Sequence, residues 1–582
     1  MIDELKYSEI LAANNNFDIS RMGEKCPIKV LSNVIVQHLN SILEYHLRLG
    51  NVNAQVKSGN YDNILQDCSH LDVSEYVVIF WEAANITEGF YHSSHAFNKE
   101  QINDIVGKVL SEIDLVLNCL KDQPLILFNK FSSIVFNHHH LSRNNFDQVC
   151  DEVNSYLHQK SQEKSNLKLI DIDKVLAQVS IDRGVDFKYF YTAKSLYTVA
   201  FYKNYVKYIK PLILAHRGKV KKMIVLDCDN TLWKGVLGED GIQGIDMSAE
   251  SPEGSIYSEV QNLILEMNRN GALIGLCSKN NFQDVQDVIE QHPHMKIKDE
   301  YVTIKKINWL DKVTNLRQIA EALNIGLDSL VFVDDSDFEA TLVRKELPEV
   351  EVIQVPPKLY EYPSLIRESM GLFQQASITP EDQHRTLFYK DQGLRDKRKL
   401  QFKNMDEYLK SLNLQLTIQV NDQTSIPRIS QLTMKTNQFN LTTKRYSESD
   451  ISKFVFSNDC RVFSFKAADH FGDYGLTGVA IIKLNRHDKE AQIDSLLMSC
   501  RVIGRNLELV FFDFIVAALK KEDVGLVKAE YIKTMKNEQV SHFYNQLGFE
   551  VMQQHGPKTS YALTIDQYQP TGIQYIGVKH GG

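Results

Sequence analysis

Two carboxylates two residues apart, Asp227 and Asp229, follow the apolar run Met223–Leu226. In an open α/β sheet the carboxyl ends of the strands form the ligand crevice, so this pair is expected at the mouth of a site. Two anions so placed repel each other unless a cation lies between them, and Mg2+ with hard oxygen ligands meets that need. Ser278 closes the run Leu273–Ser278 and offers a hydroxyl to a phosphoryl oxygen. Lys312 offers positive charge to a nucleophile and a phosphate, and Asp334 and Asp335 follow the run Leu330–Val333 as further metal ligands. Taken singly, an Asp-x-Asp is commonly a turn or cap, a Ser a cap and a Lys solvated surface. In this order, and mostly at the ends of apolar runs, they point to phosphoryl chemistry.

Positioning these side chains takes a set of parallel strands. Candidates are Met223–Leu226, Ala272–Cys277, Tyr301–Ile304, Ser329–Val333 and Val350–Val355, closed by Pro356 and Pro357. Only about 40 residues separate Thr231 from the second of them, too few for a large lid domain. Upstream, Val77–Trp81 and Leu125–Phe128 have strand length, and Ser111–Leu120 between them has helical spacing. Strands alternating with helices predict a parallel sheet with helices on both faces. Downstream, Leu414–Val420, Arg461–Lys466, Leu476–Leu484 and Ala491–Met498 read as successive antiparallel strands, followed by helices over Gly504–Lys520 and Gln539–Leu547. The fold class expected is α/β, in domains spanning 1–215, 220–370 and 405–582, with a helical or linker-like connector at 371–404.

Composition narrows the functional classes. The 582 residues are 43% hydrophobic and 24% charged, with 13 Pro and 28 Gly, which excludes collagen-like or largely disordered chains. A net charge of −9 argues against a general nucleic-acid-coating surface, and no apolar run reaches membrane-spanning length. The amino-terminal residues lack a signal-peptide pattern. Eight cysteines without a Cys-x-x-Cys pair suggest neither a zinc knuckle nor a disulfide framework, and a reducing cytoplasmic setting is expected. His138, His139 and His140 are adjacent, so their side chains point different ways and a metal role is not expected.

The acid–Ser–Lys–acid order resembles the haloacid dehalogenase (HAD) superfamily. Within it, Asp227–Gly241, Cys277–Asn281, Ile307–Lys312 and Phe332–Glu339 are similar to the signature segments of the FkbH family. Two departures are small: Ser336-Asp337 stands where the family often has Asn-Pro, and Lys234 where it commonly has Gly. The resemblance implies a HAD-type Rossmannoid parallel sheet and an aspartyl-phosphate mechanism. Asp227 would be the nucleophile and Asp229 the acid and base. Thr231 would support the loop, and Ser278 and Lys312 would hold the phosphoryl group. Mg2+ would be bound by Asp227, the Asp229 backbone carbonyl, Asp334 and Asp335.

The resemblance extends to both flanks. Gln431–Arg445, Phe471–Val479 and Ser499–Arg505 are similar to FkbH segments, and the carboxyl-terminal part looks like a GNAT-type α+β acyltransferase fold. Arg501, Gly504 and Arg505 partly match its pyrophosphate loop, with Asn506 where a small residue is usual. Cys500 beside them is a candidate acyl- or pantetheine-binding group. Leu31–Asn33, Tyr61–Asn63 and Trp81–Asn85 resemble an SGNH-hydrolase-like amino-terminal domain. Ser32 is its candidate nucleophile, but no Asp-x-x-His base appears near 180–200, so a degenerate domain is expected. The function implied is transfer of a glyceryl group from 1,3-bisphosphoglycerate, with phosphate removal, to the phosphopantetheine thiol of an acyl carrier protein, in polyketide-type biosynthesis. The acyl-carrying thiol is open among Cys228, Cys500 and the carrier's own, while Cys277 belongs to a buried-looking strand. Alternatives are a HAD-type phosphatase acting on another phosphorylated substrate, a GNAT-type acyltransferase using acyl-CoA, and a non-catalytic scaffold.

Overall fold

The computed structural model describes residues 5–19, 22–23, 25–72, 76–87, 89–375, 385–399, 401–402, 404–534 and 536–580. The chain divides into two compact units, Met1–Arg217 with Ser447–Ser449, and Gly218–Tyr446 with Asp450–Gly582.

The first unit holds β1 (Lys25–Ser32), β2 (Asn53–Ser58), β3 (Tyr76–Phe80), β4 (Leu125–Asn129) and β5 (Leu167–Ile170) in one sheet ordered β2-β1-β3-β4-β5. Every pairing is parallel. All five residues of β3 and of β4 are buried. Continuous apolar runs of this kind suit a sheet covered on both faces. Helices Lys99–Cys119 and Asn145–Glu163 carry buried residues at helical spacing, and each opens on an asparagine capping box.

The second unit contains two sheets. The first comprises β6 (Met223–Leu226), β7 (Leu273–Ser278), β8 (Val302–Ile307), β9 (Leu330–Asp334) and β10 (Glu351–Gln354), ordered β10-β9-β6-β7-β8 and parallel throughout. This is the expected α/β arrangement. The order puts β6 at the centre, with Leu226 opposite Val333 of β9 and Leu276 of β7. Groups that follow β6 are therefore flanked by groups that end β9 and β7. The segment between β6 and β7 folds as helices Leu237–Gly244 and Pro252–Arg269, the latter capped by Ser251 with Pro at its first turn.

The other sheet is larger and mixed. It contains β11 (Gln415–Val420), β12 (Phe439–Asn440), β13 (Cys460–Asp469), β14 (Gly472–Asn485), β15 (Glu490–Met498), β16 (Leu526–Ile532), β17 (Glu550–His555), β18 (Lys558–Thr564) and β19 (Gly577–His580). β11, β13, β14 and β15 are consecutive antiparallel neighbours, as their alternation predicts. Two parallel pairings were not anticipated, β15 with β16 and β11 with β19. The β15–β16 ladder covers only Glu490–Gln492 against Leu526–Lys528. Beyond it the strands part, and the short β12 fills the space. Phe439 and Asn440 pair with Met498 and Leu497, Leu441 N donates to Leu496 O at 3.1 Å, and Ile532 N donates to Leu441 O at 2.8 Å.

The connector expected at 371–404 contains the helix Arg385–Lys399, while 376–384, 400 and 403 lie outside the described residues. This helix is anchored. Arg395 pairs with Asp469 through two hydrogen bonds of 2.8 Å, with both side chains buried. Among the described residues no helix is long and apolar enough to cross a membrane.

Candidate active site

β6 ends at Leu226, and Asp227 N donates to Val333 O at 2.9 Å, which carries the parallel ladder one residue further. The chain then turns tightly. Leu232 N donates to Cys228 O at 2.8 Å, and Asn230 adopts φ 50°, a left-handed conformation that asparagine tolerates. Asn230 Oδ1 in turn accepts from Gly235 N at 3.0 Å. Tyr362 and Tyr257 brace the turn from outside, donating to Thr231 O at 3.2 Å and Asn230 O at 3.3 Å.

At this edge the carboxylates of Asp227, Asp334 and Asp335 converge, with ligand oxygens within 4.8 Å of one another. Lys312, at the first position of the helix Lys312–Ala322 capped by Asp311, reaches into the same space. Its Nζ lies 2.5 Å from Asp227 Oδ1, 3.2 Å from Asp334 Oδ2 and 2.6 Å from Cys277 O. Burial works to lower the Lys312 ammonium, but Asp227 and Asp334 outweigh it and hold it above the ordinary lysine value. Burial first, and then the charge of Asp227, push Asp334 and Asp335 each up to about 6. One ammonium thus faces three crowded carboxylates. That donor set fits a hard divalent cation, which removes the excess negative charge.

Of the expected site residues, the structure brings Asp227, Asp334, Asp335 and Lys312 together. Ser278 is buried at the end of β7, where its hydroxyl lies 3.2 Å from Asn280 Nδ2. Thr231 is fully buried, with a hydroxyl that has no hydrogen-bond partner. The Asp229 carboxylate stands apart from the carboxylate triad. Its Oδ1 accepts from Trp233 Nε1 and Leu237 N, both at 3.0 Å, and its Oδ2 accepts from Asn280 Nδ2 at 2.9 Å. Any metal role for Asp229 therefore falls to its backbone carbonyl.

Cys228 is placed differently from the expectation of an acyl-carrying thiol. Its side chain is 0% exposed and packs in the core cluster with Leu226 and Ile274. Burial and the Asp227 charge push the thiol well above the usual range. A thiolate is the reactive form, so Cys228 as placed is neither accessible nor nucleophilic. Adjacent positions on an extended segment point opposite ways, which is why neighbouring Asp227 faces the site. Cys277 is also buried, and burial raises it to about 12.

Cys500 is half-buried in the turn Cys500–Val502 after β15. The neighbouring cations are committed: Arg501 stacks 4.8 Å from the Phe388 ring, and Arg505 donates to Arg501 O and, at 2.7 Å, to Gln392 Oε1. Gly504, at φ 81°, is exposed. Asn506, also left-handed, donates to Tyr575 OH at 2.8 Å.

In the first unit Ser32 is buried, and its hydroxyl donates to Val34 O at 2.8 Å or Phe80 O at 2.9 Å, so it meets no base. Asn33 and Glu82 bond reciprocally through Glu82 N to Asn33 Oδ1 at 2.7 Å and Asn33 Nδ2 to Glu82 O at 3.0 Å. Among the described residues the only metal-capable group of acids, histidines and cysteines is the Asp227–Asp334–Asp335 triad, so His138–His140 form none. Sequence reading missed Trp233 and Asn280 as partners of Asp229, although both stand within quoted segments. Four-residue spacing across a turn carries no periodic signal.

No protein-family model matches the chain, and no curated protein matches it. Among solved structures it is similar to the N-terminal part of the protein BF1531 from Bacteroides fragilis, which contains a phosphatase domain and was solved complexed with Mg. The identity is 23% and the TM-score 0.55, over 64% of this chain and 100% of that one. At that identity the likeness is one of fold. It is also similar to a ribosomal-protein alanine N-acetyltransferase from Escherichia coli (16% identity, TM-score 0.21, 26% of this chain and 94% of that one). A third similarity is to the PaiA N-acetyltransferase from Thermoplasma acidophilum in complex with coenzyme A (15% identity, TM-score 0.18, 20% of this chain and 72% of that one).

Proposed function

We propose that the second unit is a Mg2+-dependent phosphatase of the HAD type, acting through an aspartyl-phosphate. The observation that carries this reading is the convergence of Asp227, Asp334 and Asp335 on one edge, with Lys312 Nζ 2.5 Å from Asp227. Mg2+ in the likeness from Bacteroides fragilis agrees with it. A bound Mg2+, held by Asp227, Asp334, Asp335 and the Asp229 carbonyl, supplies charge neutralisation for carboxylate and phosphate. An Asp227 carboxylate oxygen attacks phosphorus, and the bond from phosphorus to the leaving oxygen breaks. Asp229 gives that oxygen a proton. In the second half Asp229 takes a proton from water, the water oxygen attacks phosphorus, and Asp227 is released. Lys312 and Ser278 hold the phosphoryl oxygens.

The finer reading follows the FkbH resemblance. The substrate is 1,3-bisphosphoglycerate, and the acceptor is the phosphopantetheine thiol of an acyl carrier protein in the cytoplasm, serving polyketide-type biosynthesis. A thiolate attacks the acyl-phosphate carbonyl carbon, the bond from carbon to the phosphate oxygen breaks, and phosphate leaves. The phosphatase site then removes the ester phosphate. With Cys228 in the core, the carrier's thiol is the acceptor we favour over Cys500. The first unit, with Ser32 occupied, is a degenerate SGNH-like domain in this reading.

Intact-mass measurement after incubation with 1,3-bisphosphoglycerate, Mg2+ and a phosphopantetheinylated carrier tests it. A glyceryl adduct on the carrier in the wild type, retained as phosphoglyceryl with Asp227→Asn, is expected. Phosphate release without any adduct would leave a phosphatase of another substrate. Consumption of acyl-CoA that survives Asp227→Asn would favour the acyltransferase alternative.

A further inference from the structure

The proton step assigned to Asp229 requires its carboxylate to point one way, and the structure shows what fixes that direction. Oδ1 is committed inward to two donors, the Trp233 indole N–H and the Leu237 backbone N–H, both at 3.0 Å. Oδ2 has one donor, Asn280 Nδ2 at 2.9 Å, and the same amide lies 3.2 Å from Ser278 Oγ. Trp233 is 0% exposed and Asn280 6% exposed, so neither amide nor indole is a solvated surface group. The backbone that carries the indole is held in turn. Gln261 Nε2 donates to Leu232 O at 2.9 Å, and residues 229 and 233 form a backbone bridge.

Because Oδ1 already accepts two hydrogen bonds, a proton carried by Asp229 resides on Oδ2. That is the oxygen tied through Asn280 to the phosphate-binding hydroxyl. We propose that Trp233 and Asn280 are positioning residues that aim Asp229 Oδ2 at the leaving oxygen, and that they set how well the enzyme cleaves phosphate esters whose leaving groups need a proton. The inference rests on the reading of Asp229 as proton donor. An alkyl monoester leaves as an alkoxide and depends on the donor, whereas an acyl phosphate leaves as a carboxylate and does not. Losing the aim therefore costs the first substrate far more than the second.

The test compares kcat/KM for 3-phosphoglycerate and acetyl phosphate, as phosphate released with Mg2+ by the full chain. kcat/KM reports the steps up to aspartyl-phosphate formation, in which the leaving group departs. Trp233→Phe keeps an aromatic ring and deletes the N–H, and Asn280→Ser deletes the amide and leaves a hydroxyl too short to reach Asp229 Oδ2 in its place. Each is expected to lower kcat/KM for 3-phosphoglycerate by about tenfold or more, with acetyl phosphate changed less than about twofold. Equal losses on both substrates, or none on either, overturn the positioning role. Should Trp233→Phe fail to fold by circular dichroism, Asn280→Ser decides alone. A wild type that releases phosphate from neither substrate instead overturns the phosphatase reading itself.

Discussion

Lys312 Nζ sits 2.5 Å from Asp227 Oδ1, in a site where two more carboxylates lie close by. The Lys312 side chain is 3% exposed, so its charge is not diluted by water. Removing one partner of a buried ion pair leaves the other uncompensated. Lys312→Met is thus expected to lower stability in chelator by about 3–5 kcal/mol. It should also lower phosphate release by at least about a hundredfold. Urea unfolding and a turnover assay measure the two, and a stability unchanged in chelator would show that the carboxylates do not depend on this lysine.

Mg2+ itself is expected to stabilise the second unit. A ligand that binds only the folded state adds about 2.7 kcal/mol at a hundred times its dissociation constant. Titration with Mg2+ should raise the unfolding temperature in the wild type, and the increment should shrink with Asp334→Asn, which removes one member of the triad. An increment equal in both proteins would place the cation elsewhere.

The same carboxylates set a pH dependence. Asp334 and Asp335 are pushed up to about 6, above the 3.8 of an unperturbed aspartate. Between those values the folded state binds more protons than the unfolded one, so these groups add stability at low pH that is lost as pH rises through about 6. Without metal, the chain should therefore lose stability from this source between pH 4 and 6. Protons compete with the cation for the same oxygens, so Mg2+ affinity should fall as pH drops below about 6. Calorimetry across pH, with and without chelator, checks both signs. Wild type and Asp334→Asn with identical pH profiles would sink the assignment.

The centre of the parallel sheet around the acids was legible in the sequence because β6, β7 and β9 are apolar runs closed or followed by a polar residue, whereas β8 and β10 carry polar residues along their length. Met223–Leu226 matches β6 to the residue, and β7 and β9 shift by a single residue. What was not legible depends on contacts between distant or turn-linked residues. The burial of Cys228 follows from the alternation past β6, which puts it with Ile224 and Leu226, whereas its acidic neighbours taken alone suggest a thiol at the site. β12, only two residues long, has no pattern of its own and exists because β15 and β16 diverge. The turn that returns Trp233 to Asp229 likewise rests on the left-handed Asn230.

Coenzyme A is expected not to bind the mixed sheet, a result that bears directly on the acyltransferase alternative. A ligand entering where β15 and β16 part would have to find unpaired strand edges, and Leu441 already bonds to both, accepting from Ile532 N at 2.8 Å and donating to Leu496 O at 3.1 Å. Asn537 Nδ2 closes the same gap, donating to Asn440 O and to Ile532 O, both at 2.9 Å. Displacing these bonds would strand buried backbone groups at about 1–3 kcal/mol each. The basic groups at the head of the helix Leu507–Lys521 offer little in return, since Arg505 is 6% exposed and its guanidinium is held by Arg501 O and Gln392. Titration calorimetry of the full chain with coenzyme A and acetyl-CoA should show no heat of binding, corresponding to a dissociation constant weaker than about 1 mM. Binding in the micromolar range would mean that Phe439–Leu441 can leave the sheet, and would return the acyl-CoA reading to the centre of the protein's chemistry.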